Sequence, residues 1–231
     1  MKDKNVESLL AGFRKPEIIV EHVWEAWSKM ETKIGGPMDP KIKPIWRGAK
    51  AVGTAVTVEI APGVLGESWM RAQEVAGPGD VIVIDEKGSE LYAAWGGMIS
   101  GNAKRRGVAG VVIDGATRDL EEIDEIKFPV FAKGLSPIIV TYPTGMVDRL
   151  NVPISCGGVI VRPGDIIVAT DGGVVSVPIE NAAEVLKYSE LLVKFDAKEA
   201  KWFQAGKTIR QLLVEEFGGD IKKKYEWGQK P

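Results

Sequence analysis

Two rhythms of apolar positions divide this chain. Across residues 1–33, Ile18, Ile19, Val23, Trp24 and Trp27 recur three to four apart, the helical spacing, with Pro16 in a first turn or at a break. Gly35-Gly36-Pro37-Met38-Asp39-Pro40 is a loop by composition. Ala51 to Ile60 is dense in β-branched residues and reads as a strand ended by Pro62-Gly63. A short helix is predicted over 67–76, then a turn at Gly77-Pro78-Gly79-Asp80. Val81 to Asp85 is an apolar run that predicts a strand buried on both faces. A helix over 97–106 and a second buried strand, Val108 to Ile113, complete a strand–helix–strand unit. Such a unit favours parallel pairing and a right-handed crossover. Another short helix leads to a strand at Phe128 to Ala132.

The next third is richer in β-structure. Short strands are predicted at Pro137–Thr141, Val152–Ser155, Val159–Val161, Asp165–Ala169 and Val174–Pro178, separated by Gly, Pro and Asp. From Glu180 through Glu216 the pattern is helical and charged. After Gly218-Gly219 comes a polar tail with Lys222-Lys223-Lys224, Tyr225 and Trp227, which could cover a neighbouring subunit. Pro78-Gly79-Asp80-Val81-Ile82-Val83 echoes Pro163-Gly164-Asp165-Ile166-Ile167-Val168. The echo is either one turn chemistry used twice or a duplicated unit.

Composition narrows the function. The chain has 231 residues, 45% hydrophobic and 27% charged, with net charge −2. That is the balance of a globular domain, and it does not suit a polyanion-binding protein. No segment approaches the roughly 20 apolar residues of a membrane span, and Met1 to Arg14 lacks the apolar run of a signal peptide. The default expectation is a cytoplasmic protein. One cysteine, Cys156, and one histidine, His22, exclude an internal disulfide, a multi-cysteine zinc site and a His-rich metal site within one chain. No Gly-x-Ser-x-Gly turn accompanies His22, so carboxylates, Arg, Lys and backbone groups must carry any chemistry.

Trp95 to Asp119 is the most informative stretch. Gly96-Gly97 falls where a helix begins, and a first turn has unpaired N–H groups that bind anions. A small carboxylate could rest on the amides near Gly97, Met98 and Ile99; equally, a glycine pair there can be a turn device. Arg118-Asp119 follows the carboxyl end of a buried strand, where ligands bind in open α/β sheets. Arg118 offers a planar fork for a carboxylate, and Asp119 offers hard oxygens for a divalent cation. Consecutive side chains usually diverge, so the two need not pair. The competing reading makes Asp119 a helix N-cap and Arg118 a surface residue.

The run from Gly107 to Asp119 (GVAGVVIDGATRD) resembles the RraA-like family, which includes the 4-hydroxy-4-methyl-2-oxoglutarate / 4-carboxy-4-hydroxy-2-oxoadipate aldolases. Pro78-Gly79-Asp80-Val81, Phe128-Pro129-Val130-Phe131-Ala132, Cys156-Gly157-Gly158-Val159, Val161-Arg162-Pro163-Gly164-Asp165 and Asp171-Gly172-Gly173-Val174-Val175 with Val177-Pro178 extend it over about 35–195. The resemblance implies an α/β fold, a swivelling β/β/α layered domain flanked by N- and C-terminal helices. Its bounds would be a helical segment over 1–34, the catalytic domain over 35–195, and a helix and tail over 196–231. It implies a metal-dependent (class II) pyruvate aldolase using Mg²⁺ or Mn²⁺, with oxaloacetate decarboxylation as a companion activity. Such a lyase would act on a small 2-oxo acid as a homotrimer or dimer of trimers, with sites between subunits. Carried over by residue, Arg118 would bind substrate and stabilise an enolate, and Asp119 would ligate the metal. The turn Gly96, Gly97, Met98 and Ile99 would hold the carboxylate.

The aldolases of this family carry an Asp, then twenty intervening residues, then the Arg-Asp pair, and the position of that Asp here is Gly97, so a carboxylate is expected to be missing. A partner-subunit carboxylate, with Glu190 and Glu199 as candidates, could replace it. The alternative is a non-catalytic regulator of the RraA type that binds a ribonuclease. Lys104-Arg105-Arg106 reads as a solvated face rather than a nucleic-acid patch, and Trp24, Trp27 and Trp46 as core or subunit contact. Cys156 reads as a small buried residue and His22 as structural.

Overall fold

The computed structural model describes residues 3–32, 34–64, 66–139 and 148–220. The end of the strand predicted at Pro137–Thr141 and the lysine-rich tail lie outside them.

The helical N-terminal segment is two helices, α1 (Lys4–Phe13) and α2 (Val20–Trp27), with Pro16 in the break between them. Asp3 caps α1 by accepting from the Asn5 amide at 3.0 Å. The strands are β1 (Gly36–Pro37), β2 (Lys43–Pro44), β3 (Ala51–Glu59), β4 (Asp80–Ala93), β5 (Gly110–Thr117), β6 (Val130–Ala132), β7 (Gly134–Leu135), β8 (Arg149–Leu150), β9 (Ile154–Cys156), β10 (Val159–Val161), β11 (Ile166–Thr170) and β12 (Gly173–Val177). Between them lie α3 (Glu67–Val75), α4 (Gly97–Arg105) and α5 (Leu120–Ile126). A 3₁₀ turn at Ile179–Asn181 opens α6 (Ala182–Gln204), and α7 (Ile209–Phe217) follows. The helical run predicted over 180–216 is therefore broken. Gly206 is left-handed at φ 74°, and Thr208 starts α7 with its side chain accepting the Gln211 amide.

The main sheet runs β1-β12-β11-β3-β4-β5-β6-β2. Its centre, β3-β4-β5-β6, is parallel, as the strand–helix–strand pattern predicted. Register places Val56 and Val58 beside Ile82 and Ile84, then Val111 and Ile113, all on one face. There they pack with Trp69, Ala103 and Ile123 of α3, α4 and α5. The same face, farther along, meets α1, α2 and α6 through Val52, Ile166, Val168, Val175 and Val177. The alternate residues, Ala55, Val81, Val83 and Val112, face Ile154, Cys156 and Val161 of the small β9–β10 sheet. Helices, main sheet and small sheet make three layers, the arrangement expected. Each fully buried Val or Ile contributes about 1.5–3 kcal/mol.

One turn chemistry enters both neighbours of β3. Asp80 accepts from the Gly77 amide at 2.9 Å, and Asp165 accepts from the Arg162 amide at 2.9 Å. Gly79 and Gly164 supply φ of 75° and 85°. The echo in the sequence is this shared turn; the strands it feeds run parallel to β3 in one case and antiparallel in the other. Cys156 is buried, and burial pushes its thiol up, which suits packing rather than nucleophilic attack. His22 ties α2 to α6 through Asp196, 3.0 Å away. Trp46 and Trp27 donate their ring N–H groups to backbone carbonyls, whereas Trp24 is exposed. The Lys104-Arg105-Arg106 run is exposed at the end of α4.

β4 is longer than the sequence suggested because Lys87 and Gly88, both left-handed, form a bulge that lets pairing resume at Ser89. The bulge buries Glu86. Among the described residues its Oε2 has no hydrogen-bond partner, and Gly115 leaves it room that a Cβ would fill. Burial pushes this carboxyl up to about 8. The folded chain therefore holds the proton more tightly than the unfolded chain. The stability this adds is complete below the ordinary glutamate value of 4.5 and is lost as pH rises through about 8. Glu86→Gln should leave stability at pH 4 nearly unchanged and raise it at pH 9 by about 2–4 kcal/mol. Urea unfolding at both pH values checks this; equal destabilisation at both would contradict it.

Candidate functional site

β4 and β5 end side by side, and the segments leaving them meet. Ala93 pairs with Ala116, after which Ala94 donates to the Ala116 carbonyl at 3.1 Å. The Trp95 carbonyl then accepts both the Arg118 amide and the Thr117 hydroxyl at 3.1 Å. These bonds lay the turn Thr117-Arg118-Asp119 across the start of α4.

Asp119 is the centre of that turn. It stands in the N-cap position of α5, but its side chain makes no cap bond there, and its backbone is left-handed at φ 60°, ψ 48°. A left-handed non-glycine residue costs roughly 1–2 kcal/mol, less for Asp. The conformation turns the carboxylate toward α4, where Oδ2 accepts the Gly97 amide at 3.1 Å. Oδ1 accepts Arg118 Nε at 2.9 Å. Both expectations for this pair change accordingly. The consecutive side chains do pair, because the left-handed backbone brings them to the same side. The anion on the Gly97 amide is the chain's own carboxylate rather than a space kept for a ligand.

The glycine pair is explained by close approach. Gly96 has an ordinary extended backbone, but a Cβ on it would stand 2.6 Å from Asp119 Oδ2 and 3.2 Å from Arg118 Cγ. A Cβ on Gly97 would collide with the carboxylate of Glu122. Sequence reasoning missed Glu122. The volume into which a side chain at 97 would project already holds a carboxylate, brought by α5 from three residues beyond Asp119. The signal available in the sequence was an acid at that offset, hidden among the other acids of Leu120–Ile126.

Arg118, Asp119, Gly96, Gly97 and Glu122 are thus brought together. Met98 and Ile99 border the same site, lining a cavity of about 190 Å³ with Trp69, Trp95, Arg118, Asp119 and Ile139. Trp95 is fixed by its ring N–H to Ser100 Oγ at 2.8 Å, an edge contact with Trp69 and stacking on Phe128. Leu135, Ser136 and Glu121 border a second cavity on the other side of Arg118 and Asp119. Glu190 and Glu199 lie far along α6; Glu190 bonds Lys15 at 2.5 Å, in the N-terminal layer.

Similarity to known proteins agrees with this architecture. Residues 20–176 match the model of the RraA-like family, described as Aldolase/RraA. A Halalkalibacterium halodurans protein named "Putative 4-hydroxy-4-methyl-2-oxoglutarate aldolase" is 43% identical over 146 residues, 63% of this chain and 68% of that one. An uncharacterized protein from Methanocaldococcus jannaschii is 38% identical over 173 residues, 74% of this chain and 82% of that one. Among solved structures, RraAS2 of Streptomyces coelicolor, described as an unusual member of the RNase ES inhibitor RraA protein family, superposes with a TM-score of 0.70. It is 25% identical, over 89% of this chain and 98% of that one. The family match, these relatives and the layered fold lead to one conclusion: the chain belongs to the Aldolase/RraA family.

Proposed function

We propose that the protein is a divalent-metal-dependent lyase that cleaves a C–C bond of a 2-oxo acid through a pyruvate enolate, by retro-aldol reaction, by decarboxylation of oxaloacetate, or both. The observation that carries this reading is the convergence of Arg118, Asp119 and Glu122 on the start of α4 beside a cavity. A scaffold has no need of an arginine and two carboxylates held against two glycines.

The donor set suits the cation that the family resemblance implies. Among the described residues no group of three or more His, Cys, Asp or Glu forms a cage. Mg²⁺ does not require one, since it is commonly held by one or two carboxylates, with water and substrate completing its shell. Asp119 would hold it through oxygens that keep lone pairs beyond the bonds already made. When bound, such a cation supplies Lewis-acid stabilisation of the developing enolate charge.

The chain's own groups divide the remaining work. Arg118 spends Nε on Asp119, so its terminal N–H groups are left to bind the substrate carboxylate and enolate oxygen as a planar fork. The positive end of α4 adds to the same field. Glu122 takes the proton from the C4 hydroxyl in an aldol cleavage, the duty of the acid absent at 97. Decarboxylation needs no such base. We further propose that the protein is a homo-oligomer, trimer or dimer of trimers, since Leu91, Leu135 and Ile138 are exposed. The likeness to RraAS2 favours a second reading, a regulator that binds a ribonuclease; that reading requires no turnover.

Activity on oxaloacetate and on 4-hydroxy-4-methyl-2-oxoglutarate, with Mg²⁺ or Mn²⁺ against EDTA, tests the reading; absence of both activities with metal overturns it. Asp119→Asn should abolish metal-dependent turnover with little loss of stability, because Asn keeps an acceptor for Gly97 and tolerates the left-handed backbone. Asp119→Ala should in addition cost about 1–2 kcal/mol in urea unfolding. Arg118→Lys should lose roughly 10²-fold in kcat/KM, since an ammonium cannot serve as a fork. Glu122→Gln should slow aldol cleavage by about 10²–10⁴-fold while sparing decarboxylation. Gly97→Asp should gain nothing, because its Cβ would collide with Glu122. Equal loss of both reactions in Glu122→Gln would remove its assignment as base.

A further inference from the structure

Resting on the enolate reading above, we infer that the site takes a 2-oxo acid whose C4 carries an apolar group, an aryl or branched alkyl chain, rather than a second carboxylate. The inference comes from what surrounds Arg118. The cavity of about 190 Å³ that opens beside it is walled by Trp69, Trp95, Met98, Ile99 and Ile139. The polar edges of both tryptophans are already spent, Trp69 Nε1 on the Ala94 carbonyl at 2.9 Å and Trp95 Nε1 on Ser100 Oγ at 2.8 Å. They therefore offer the cavity ring surface rather than hydrogen bonds.

Charge points the same way. Among the described residues Arg118 is the sole cation lining either cavity that meets at Asp119, while Asp119 and Glu121 are anions there and Glu122 adjoins them. One arginine can hold the carboxylate at C1. A second carboxylate at C4 would enter an apolar cavity among like charges with no cation of the described residues other than Arg118 to meet it, an expensive burial. An apolar group there gains from leaving water, and an apolar cavity of roughly 150 Å³ already accepts a benzene ring.

Cleavage of such a substrate is balanced without an oxidant or reductant. The C3–C4 bond breaks, its electron pair remains on C3 as the enolate, and the C4 hydroxyl becomes the carbonyl of a released aldehyde. The hydroxyl proton passes to Glu122 and a proton then returns to C3 to give pyruvate.

The test is calorimetric binding to the full chain with Mg²⁺, using two unreactive analogues with the same head. 2-Oxo-4-phenylbutanoate carries a phenyl group at C4, and 2-oxoglutarate carries a carboxylate. The phenyl compound should bind at least about tenfold more tightly. Met98→Arg, at an exposed wall position, should narrow or reverse that ratio by supplying a second cation. Equal or tighter binding of 2-oxoglutarate by the natural chain, binding of neither analogue, or a ratio unmoved by a folded Met98→Arg variant overturns the inference. Exchange of the pyruvate methyl protons in D₂O, measured in parallel, separates the two claims, because pyruvate has no C4 group. Exchange together with 2-oxoglutarate preference leaves the enolate reading standing and this one lost. Phenyl preference without exchange supports the apolar subsite and overturns the lyase.

Discussion

The Asp119 carboxylate bonded to the Gly97 amide is the contact on which the site depends. It joins the exit of β5 to the entrance of α4, two segments brought within reach only because β4 and β5 are parallel neighbours. The bond requires a left-handed Asp119 and no Cβ at positions 96 and 97. Once it forms, Arg118 is drawn to the same side and α5 sets out in the direction that carries Glu122 over Gly97. One local backbone choice thus places a cation and two carboxylates at the positive end of a helix. The strain of that choice is offset by two charge-assisted hydrogen bonds, each stronger than a neutral one.

The rest of the fold keeps this meeting point rigid. The buried faces of β3, β4 and β5 fix where their ends lie, and a slip of one residue would turn every core side chain toward the wrong layer. Trp69, Trp95 and Phe128 form an aromatic floor under the turn, with rings 6.2 and 6.4 Å apart. The Trp95 carbonyl carries two hydrogen bonds from the Arg118 turn, so floor and turn move together. On the opposite face the small β9–β10 sheet covers Asp114, which accepts from the Gly157 amide at 2.8 Å, and Lys133 lies 2.6 Å from the same side chain. The ion pair with Lys133 keeps this buried carboxylate from standing alone beneath the sheet.

Much of this was legible in the sequence because burial writes a pattern. Val81–Asp85 and Val108–Ile113 were readable as parallel strands from unbroken apolar runs, and the Pro-Gly-Asp turns announced where β4 and β11 begin. What stayed hidden depends on backbone geometry that no spacing encodes. The bulge at Lys87-Gly88 lengthens β4 well past Asp85. The left-handed Asp119 pairs side chains that a regular backbone would separate. Glu122 was invisible for a different reason: Leu120–Ile126 contains Glu121, Glu122, Asp124 and Glu125, and helical phase alone does not say which of them faces a glycine. The absence of a side chain at 97 was legible; the carboxylate that fills its place was not.

The central claim is that Arg118, Asp119 and Glu122 serve an enolate of pyruvate, and proton exchange measures that enolate directly. Pyruvate incubated with the protein and Mg²⁺ in D₂O should lose its methyl proton signal by NMR at a rate well above that of Mg²⁺ alone. Arg118→Lys and Asp119→Asn should fall to the rate of Mg²⁺ alone while remaining folded. Exchange at the background rate in the natural protein, or undiminished exchange in both variants, would contradict the account.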